Sequence, residues 1–279
     1  TVAVAQVDPA KTGDSAGMSA QRLARIGPAL RSEIDKGAFP GTVTLVARNG
    51  TVVHFEANGY SDAAKSKPMT TDAIFRLASM TKPFVTAAGM ILVEQGAMGL
   101  QDPIAKWLPE LKDLKVETRG GDAPPQRAVT VHDLMRHTAG FVYARNARSA
   151  RIKKMVEELN IESLESDITS EEMLKRLGTI PLANQPGTVW EYSIATDVLG
   201  LLLERVAGKT LDVILRELLF DPLGMVDTQW WLDTDKRARL ADSLDSFPQK
   251  ATALKGYRQF ENPVGKNYLK GGAGLVGTA

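Results

Sequence analysis

The chain has 279 residues, 43% of them hydrophobic and 24% charged, the balance of a folded globular protein with room for one large domain or two interleaved ones. A formal net charge of +1 gives no electrostatic reason to bind nucleic acid or an anionic membrane. The absence of cysteine excludes disulfides, thiolate metal sites and a cysteine nucleophile.

Ala3-Val4-Ala5 before Gln6 reads like the end of a secretory signal, which points to a periplasmic or secreted protein. A plain disordered N-terminus, and with it a cytoplasmic location, is the alternative, and residues 1–18 read as an unstructured leader either way. Ser19 is a good N-cap for a helix carrying Leu23, Ile26, Leu30 and Ile34 on one face and stopped at Gly37. Thr42–Ala47 and Thr51–Ala57 are strands joined through Arg48-Asn49-Gly50, and Asn-Gly between β-branched runs is a strong hairpin signal. Ala73–Leu77 is strand-like and leads directly into Ser79-Met80-Thr81-Lys82.

That tetrad carries the most chemical information. A serine hydroxyl is a poor nucleophile until a neighbouring base takes its proton. Three residues along a helix is nearly one turn, so Lys82 lies on the face of Ser79. On a sheltered face, burial favours the neutral form of an amine, which can then accept a proton. Pro83 is tolerated only near a helix start, so the helix begins close to Ser79 and puts the serine at the positive end with free backbone N–H groups. A helix N-cap followed by a solvated lysine has the same spacing, so spacing alone leaves both readings open. The helix extends to about Gln95, and its apolar stretch Phe84–Val93 is too short and too interrupted to span a bilayer.

The pattern stays helical to about residue 228. Thr130–His137 is a short helix ended by Ala139-Gly140. Residues 143–166 carry a basic run, Arg145 to Lys154, followed by an acidic one, Glu157 to Glu165; this is either a charged lid over a pocket or a pair of solvated helical faces. Thr169 and Glu172 form a capping box for a helix closed by Gly178, Ala195–Val206 is a helix ended by Gly208, and Thr210–Leu219 is another. Trp190-Glu191-Tyr192-Ser193 stands before a helix start, where Tyr192 can aim its hydroxyl into a cleft. Near an ammonium it becomes a candidate general base; half-buried core packing is the plainer role.

Other chemistries are disfavoured. His132 and His137 do not share a helical face, and no H-E-x-x-H occurs, so no metal is expected. Gly59-Tyr60-Ser61-Asp62-Ala63 fails as a G-x-S-x-G elbow, and no glycine-rich phosphate loop appears, so no cofactor is expected either.

Phe75-Arg76-Leu77-Ala78-Ser79-Met80-Thr81-Lys82 resembles the nucleophile motif of the serine β-lactamase-like hydrolases, the group of class C β-lactamases, DD-peptidases and family VIII carboxylesterases. His137-Thr138-Ala139-Gly140 resembles their HTSG turn, and Tyr192-Ser193 with Asp197-Val198-Leu199-Gly200 resembles their tyrosine motif and its helix. Pro222-Leu223-Gly224-Met225 with Asp227-Thr228, and Gly271-Gly272-Ala273-Gly274-Leu275-Val276, continue the match in order.

The resemblance implies an α+β fold, an antiparallel sheet flanked by helices with an inserted all-helical domain and the active site between them. The expected organisation is a leader at 1–18, the N-terminal part of an α/β domain at 19–78, a mostly helical domain at 79–228, and a return toward the α/β domain at 229–279. It further implies that Ser79 is acylated while Lys82 and Tyr192 share its proton, with the Ser79 N–H supplying half of an oxyanion hole. Two departures stand out. Ile194 occupies the place of the asparagine in Tyr-x-Asn and cannot hold a substrate amide, which favours an ester. The family's third motif is not found: Lys270-Gly271-Gly272 falls inside the glycine-rich turn that precedes it, and the fold would continue past Ala279, so its C-terminal part is expected to be missing here. The expected function is a carboxylesterase for short-chain or small aromatic esters. A β-lactamase or DD-peptidase, with a β-lactam as the small-molecule substrate, and a catalytically inactive binding module are the alternatives.

Overall fold

The structure, a computed structural model, describes residues 16–62, 64–162, 168–242 and 268–279. The expected leader up to residue 15, Glu165 of the acidic run and residues 243–267 of the C-terminal return lie outside them. Among the described residues, 16–76, 227–242 and 276–279 form one compact unit, and 77–226 with 268–275 form another.

In the first unit, the helix anticipated from Ser19 is two helices, α1 (Ala20–Leu23) and α2 (Ile26–Asp35). Pro28 is the reason. It has no N–H to bond back to Ala24 and is tolerated only in a first turn, so the helix restarts at Ile26. Ser19 caps α1 by accepting from the Arg22 amide, as expected. Strands β1 (Gly41–Arg48) and β2 (Thr51–Gly59) pair antiparallel with Arg48 opposite Thr51 and a bulge between Val46 and Ala47. Asn49 (φ 50°) and Gly50 (φ 73°) both take the left-handed conformation that a two-residue turn needs, which is why Asn-Gly marks the hairpin. Arg31 on α2 reaches β2, bonding Glu56 (2.8 Å) and Asn58 (2.6 Å). A small apolar core of Met69, Ala73 and Ala241 packs with Val43, Ala57 and Phe75. Strand β3 is short (Phe75–Arg76).

The second unit is mostly helical. Helix α3 (Thr81–Glu94) buries Val85, Ala88, Gly89 and Leu92, the i, i+3, i+4, i+7 stripe of a core-facing helix. Gly89 costs helix propensity of about 1 kcal/mol against alanine. A Cβ there, however, would stand 2.7 Å from Met135 Cε, so its absence lets neighbouring side chains approach. A small hairpin, β4 (Val116–Thr118) and β5 (Gly121–Ala123), precedes α4 (Val131–Met135). Thr130 and Asp133 form a complete capping box on α4. Helices α5 (Ala150–Glu158) and α6 (Ser170–Gly178) follow. Thr169 caps α6 through the Glu172 amide, but the Glu172 carboxylate turns to Arg176 (2.7 Å).

Helix α7 (Ala195–Ala207) has every residue from Ala195 to Leu203 buried, so it is the central helix of this unit, ended by Gly208 in the left-handed conformation. It packs against α3, α4 and α8 (Leu211–Leu215). The single helix expected over Thr210–Leu219 instead widens into a π turn at Arg216–Phe220 before α9 (Asp221–Leu223). Pro222 cannot donate within a continuing helix, so the hydrogen-bond ladder loosens upstream of it. Strand β6 (Val276–Gly277) belongs again to the first unit, pairing antiparallel with β3.

Candidate active site

Ser79 is exposed and sits in a 3-10 turn, Ala78–Met80, that runs into α3, so its N–H belongs to the first turn where helical amides have no partner in the helix. Ala78 just before it has φ 45°, a left-handed conformation that an L-residue with a Cβ adopts at a cost. Lys82 is buried, and its Nζ lies 3.1 Å from Ser79 Oγ. The Tyr192 hydroxyl lies 2.6 Å from the same oxygen, and Lys82 Nζ stands 4.7 Å from the centre of the Tyr192 ring. The three residues singled out in the sequence therefore meet at one atom, Ser79 Oγ.

The glycine-rich turn holds this group from the other side. Lys82 Nζ donates to the Gly272 carbonyl (2.6 Å), Leu77 N donates to Leu275 O (2.8 Å), and Leu275 N donates to Thr81 Oγ1 (3.2 Å). Gly271 lies against α7, where a Cβ would stand 2.5 Å from Thr196 O and 3.4 Å from Gly200 Cα. The turn is glycine-rich because only bare backbone fits between α7 and the lysine. Lys270-Gly271-Gly272, set aside as a false third motif, thus contributes the carbonyl that fixes Lys82, a role that no side-chain pattern could signal.

Tyr192 is braced by aromatic neighbours: His137 at 4.9 Å, Tyr143 at 5.7 Å and Trp190 at 6.4 Å between ring centres. The Asn146 amide donates to its carbonyl (3.1 Å). Burial pushes the Tyr192 hydroxyl up, but hydrogen bonds to Lys82 and Ser79 and the positive charge of Lys82 outweigh it, leaving the phenol below its ordinary value. Tyr143 behaves oppositely: burial holds its hydroxyl well above the usual range. Burial, with the Lys82 charge adding to it, pushes His137 down to about 4, so its ring is neutral at physiological pH. The resemblance places His137 in the HTSG-like turn, but nothing in the sequence signals its ring contact with Tyr192.

One expectation changes. Ile194 is 2% exposed, so its side chain packs inside the unit and is not presented to a substrate. The absent amide remains a fact of the sequence, but Ile194 offers no surface that would select an ester. On α5, Arg151, Lys153, Lys154, Glu157 and Glu158 are exposed while Ile152 and Val156 are buried, as in the solvated-face reading of the charged run. Arg151 binds both oxygens of Asp122 (2.7 and 2.5 Å), Lys154 pairs with Glu158 (3.6 Å), Arg145 lies over the Tyr143 ring (4.9 Å) and Glu162 accepts from the Ala144 amide (2.5 Å). Among the described residues no helix is long and apolar enough to cross a membrane.

The fold defines the class: a protein of the β-lactamase/transpeptidase-like fold. The chain belongs to the Beta-lactamase family, whose model matches residues 23–279. It is similar to protein Rv1367c of Mycobacterium tuberculosis, 35% identical over 257 residues that cover 90% of this chain and 62% of that protein. It is also similar to Esterase EstB of Burkholderia gladioli, 33% identical over 294 residues that cover 99% of this chain and 71% of EstB. Among solved structures, EstCE1, described as a hydrolase with promiscuous acyltransferase activity, superposes with a TM-score of 0.77 at 32% identity, covering 93% of this chain and 70% of EstCE1. The chain thus spans less than two thirds of the length of the Mycobacterium relative.

Proposed function

We propose that the protein is a serine carboxylesterase that forms an acyl-enzyme on Ser79 and acts on short-chain or small aromatic esters. The observation that carries this reading is Ser79 Oγ standing 2.6 Å from the Tyr192 hydroxyl and 3.1 Å from Lys82 Nζ, on an exposed turn at a helix start. Tyr192 takes the Ser79 proton as its phenolate, favoured by the adjacent Lys82 ammonium, and the freed Oγ attacks the ester carbonyl carbon. The carbonyl electrons move to oxygen, where the Ser79 N–H offers one donor. The intermediate then collapses, the carbon–alkoxy bond breaks, and the alcohol leaves with the proton held on Tyr192. Water attacks the acyl-enzyme by the same route in reverse and releases the acid.

The name of the relative Esterase EstB supports an ester over a lactam or peptide substrate. The test is mass spectrometry of the full-length protein after treatment with a phosphonate ester, with Ser79→Ala as control. A single adduct on Ser79, absent from the variant, is expected, and no adduct would sink the hydrolase reading. Turnover of a p-nitrophenyl ester and a chromogenic cephalosporin in parallel then ranks the substrates. Fast cephalosporin hydrolysis with a poor ester rate would replace the esterase reading with a β-lactamase one.

A further inference from the structure

Tyr192 lies on a stretch without regular secondary structure, yet a phenol held 2.6 Å from its partner needs a rigid support. One short turn provides it. Ala183 N donates to Gly140 O (2.8 Å), Gly187 N to Thr138 O (2.7 Å) and Glu191 N to His137 O (2.9 Å). Ser193 N donates to His137 Nδ1 (3.3 Å). The amides on either side of Tyr192 thus both end on His137, one on its carbonyl and one on its ring, and the ring itself lies against the phenol at 4.9 Å with a 41° tilt.

His137 can make these contacts together because its backbone is left-handed (φ 57°), a conformation in which histidine, asparagine and aspartate are enriched among residues that carry a Cβ. The turn is anchored behind: Thr138 Oγ1 donates to the buried Asp133 carboxylate (2.9 Å), and Thr138 N donates to Asp133 O (2.9 Å). Because Nδ1 accepts from an amide, the ring proton resides on Nε2 and the ring is neutral. An imidazolium would set N–H against N–H and open the clasp.

From this geometry we infer that His137 is a positioning residue for Tyr192: its Nδ1, its carbonyl and its ring face set the phenol against Ser79 Oγ, and it transfers no proton itself. The inference rests on Tyr192 being the proton partner of Ser79. Its test compares wild type, Tyr192→Phe, His137→Ala and His137→Asn in the full-length protein. The readouts are the rate of phosphonate labelling at Ser79, kcat and KM for a p-nitrophenyl ester, the pH profile of kcat/KM, and the thermal midpoint.

His137→Ala should lower labelling and kcat by about a hundredfold, the scale of a misplaced reacting group, with KM little changed. Its pH midpoint should move upward as the phenol loses the hydrogen bonds that lower it. Asparagine tolerates the left-handed backbone and puts Oδ1 where Nδ1 stood, so His137→Asn should recover at least about tenfold of that loss. Labelling of His137→Ala at the wild-type rate overturns the inference, as does an equal loss in both variants with an unmoved pH midpoint. If His137→Ala does not fold, His137→Asn decides, and a loss as large as that of Tyr192→Phe overturns the proposal. Wild type that fails to label at Ser79 refutes the hydrolase reading, whereas labelled wild type with unaffected His137 variants refutes the positioning role alone.

Discussion

The Tyr192 hydroxyl lies 2.6 Å from Ser79 Oγ although 113 residues separate them in the chain. The Tyr192 ring packs against His137 and Tyr143, so Tyr192→Phe removes one oxygen and leaves the packing in place. Steady-state kinetics on a p-nitrophenyl ester should show kcat lower by about 10²–10⁴, the worth of a positioned general base, with KM within a few-fold of wild type. Wild-type kcat/KM should rise with pH to a plateau whose midpoint lies below the ordinary phenol value of 10.0, because the base form is the deprotonated one. A flat profile would remove the phenolate from the mechanism.

Asp133 is fully buried and receives hydrogen bonds from Arg127 (2.5 and 2.9 Å), from the amide and hydroxyl of Thr130, and from Thr138. Burial pushes its carboxyl up, but these partners outweigh that and hold it far below the usual carboxylate range. Asp133→Asn should cost about 2–4 kcal/mol at pH 7, below the full figure for a broken buried pair because Arg127 stays half exposed. The folded value is depressed, so the stabilisation is fully present above the unfolded value of 3.8 and fades as pH falls toward the folded one. Urea titrations at pH 7 and pH 3 should show the gap between wild type and variant shrinking in acid. A constant gap would count against the ion pair as its source.

Gly140 (φ 91°) needs its missing side chain twice over, since a Cβ would also run into the Asn184 carbonyl. Gly140→Ala should therefore destabilise by about 2–4 kcal/mol, from left-handed strain and a backbone clash together. Gly50 (φ 73°) in the hairpin turn has nothing within 4 Å of its added Cβ, so Gly50→Ala should cost only the strain, about 1–2 kcal/mol. Denaturant midpoints of the two variants check the contrast, and equal losses would rule out the clash.

Ala78, left-handed at φ 45° beside Ser79, makes the opposite prediction. Ala78→Gly should leave stability unchanged or raise it by up to about 1 kcal/mol, whereas Ala78→Val should lower it by more than about 2 kcal/mol. Thermal unfolding with the labelling rate at Ser79 as a second readout checks both.

The candidate triad was legible in the sequence because its chemistry is carried by residue type and local spacing. Ser79 and Lys82 are one turn apart next to Pro83, and Tyr192 stands just before the buried helix α7. Asn49-Gly50 and Gly208 announced a turn and a helix end for the same local reason: both take the left-handed backbone. Helix bounds differ from the local pattern at two prolines: Pro28 splits the first helix, and Pro222 widens the helix after Thr210.

By itself, then, the sequence determined the family and the candidate site residues Ser79, Lys82 and Tyr192, since these depend on side-chain chemistry and on the order of motifs from Phe75 to Val276. Only the tertiary structure decided how those groups are held. The Gly272 carbonyl on Lys82 and the His137 ring and carbonyl under Tyr192 are backbone or orientation effects between distant residues. A main-chain carbonyl has no residue signature, and the direction of a ring is set by what packs around it. Such contacts become visible only when the chain has folded.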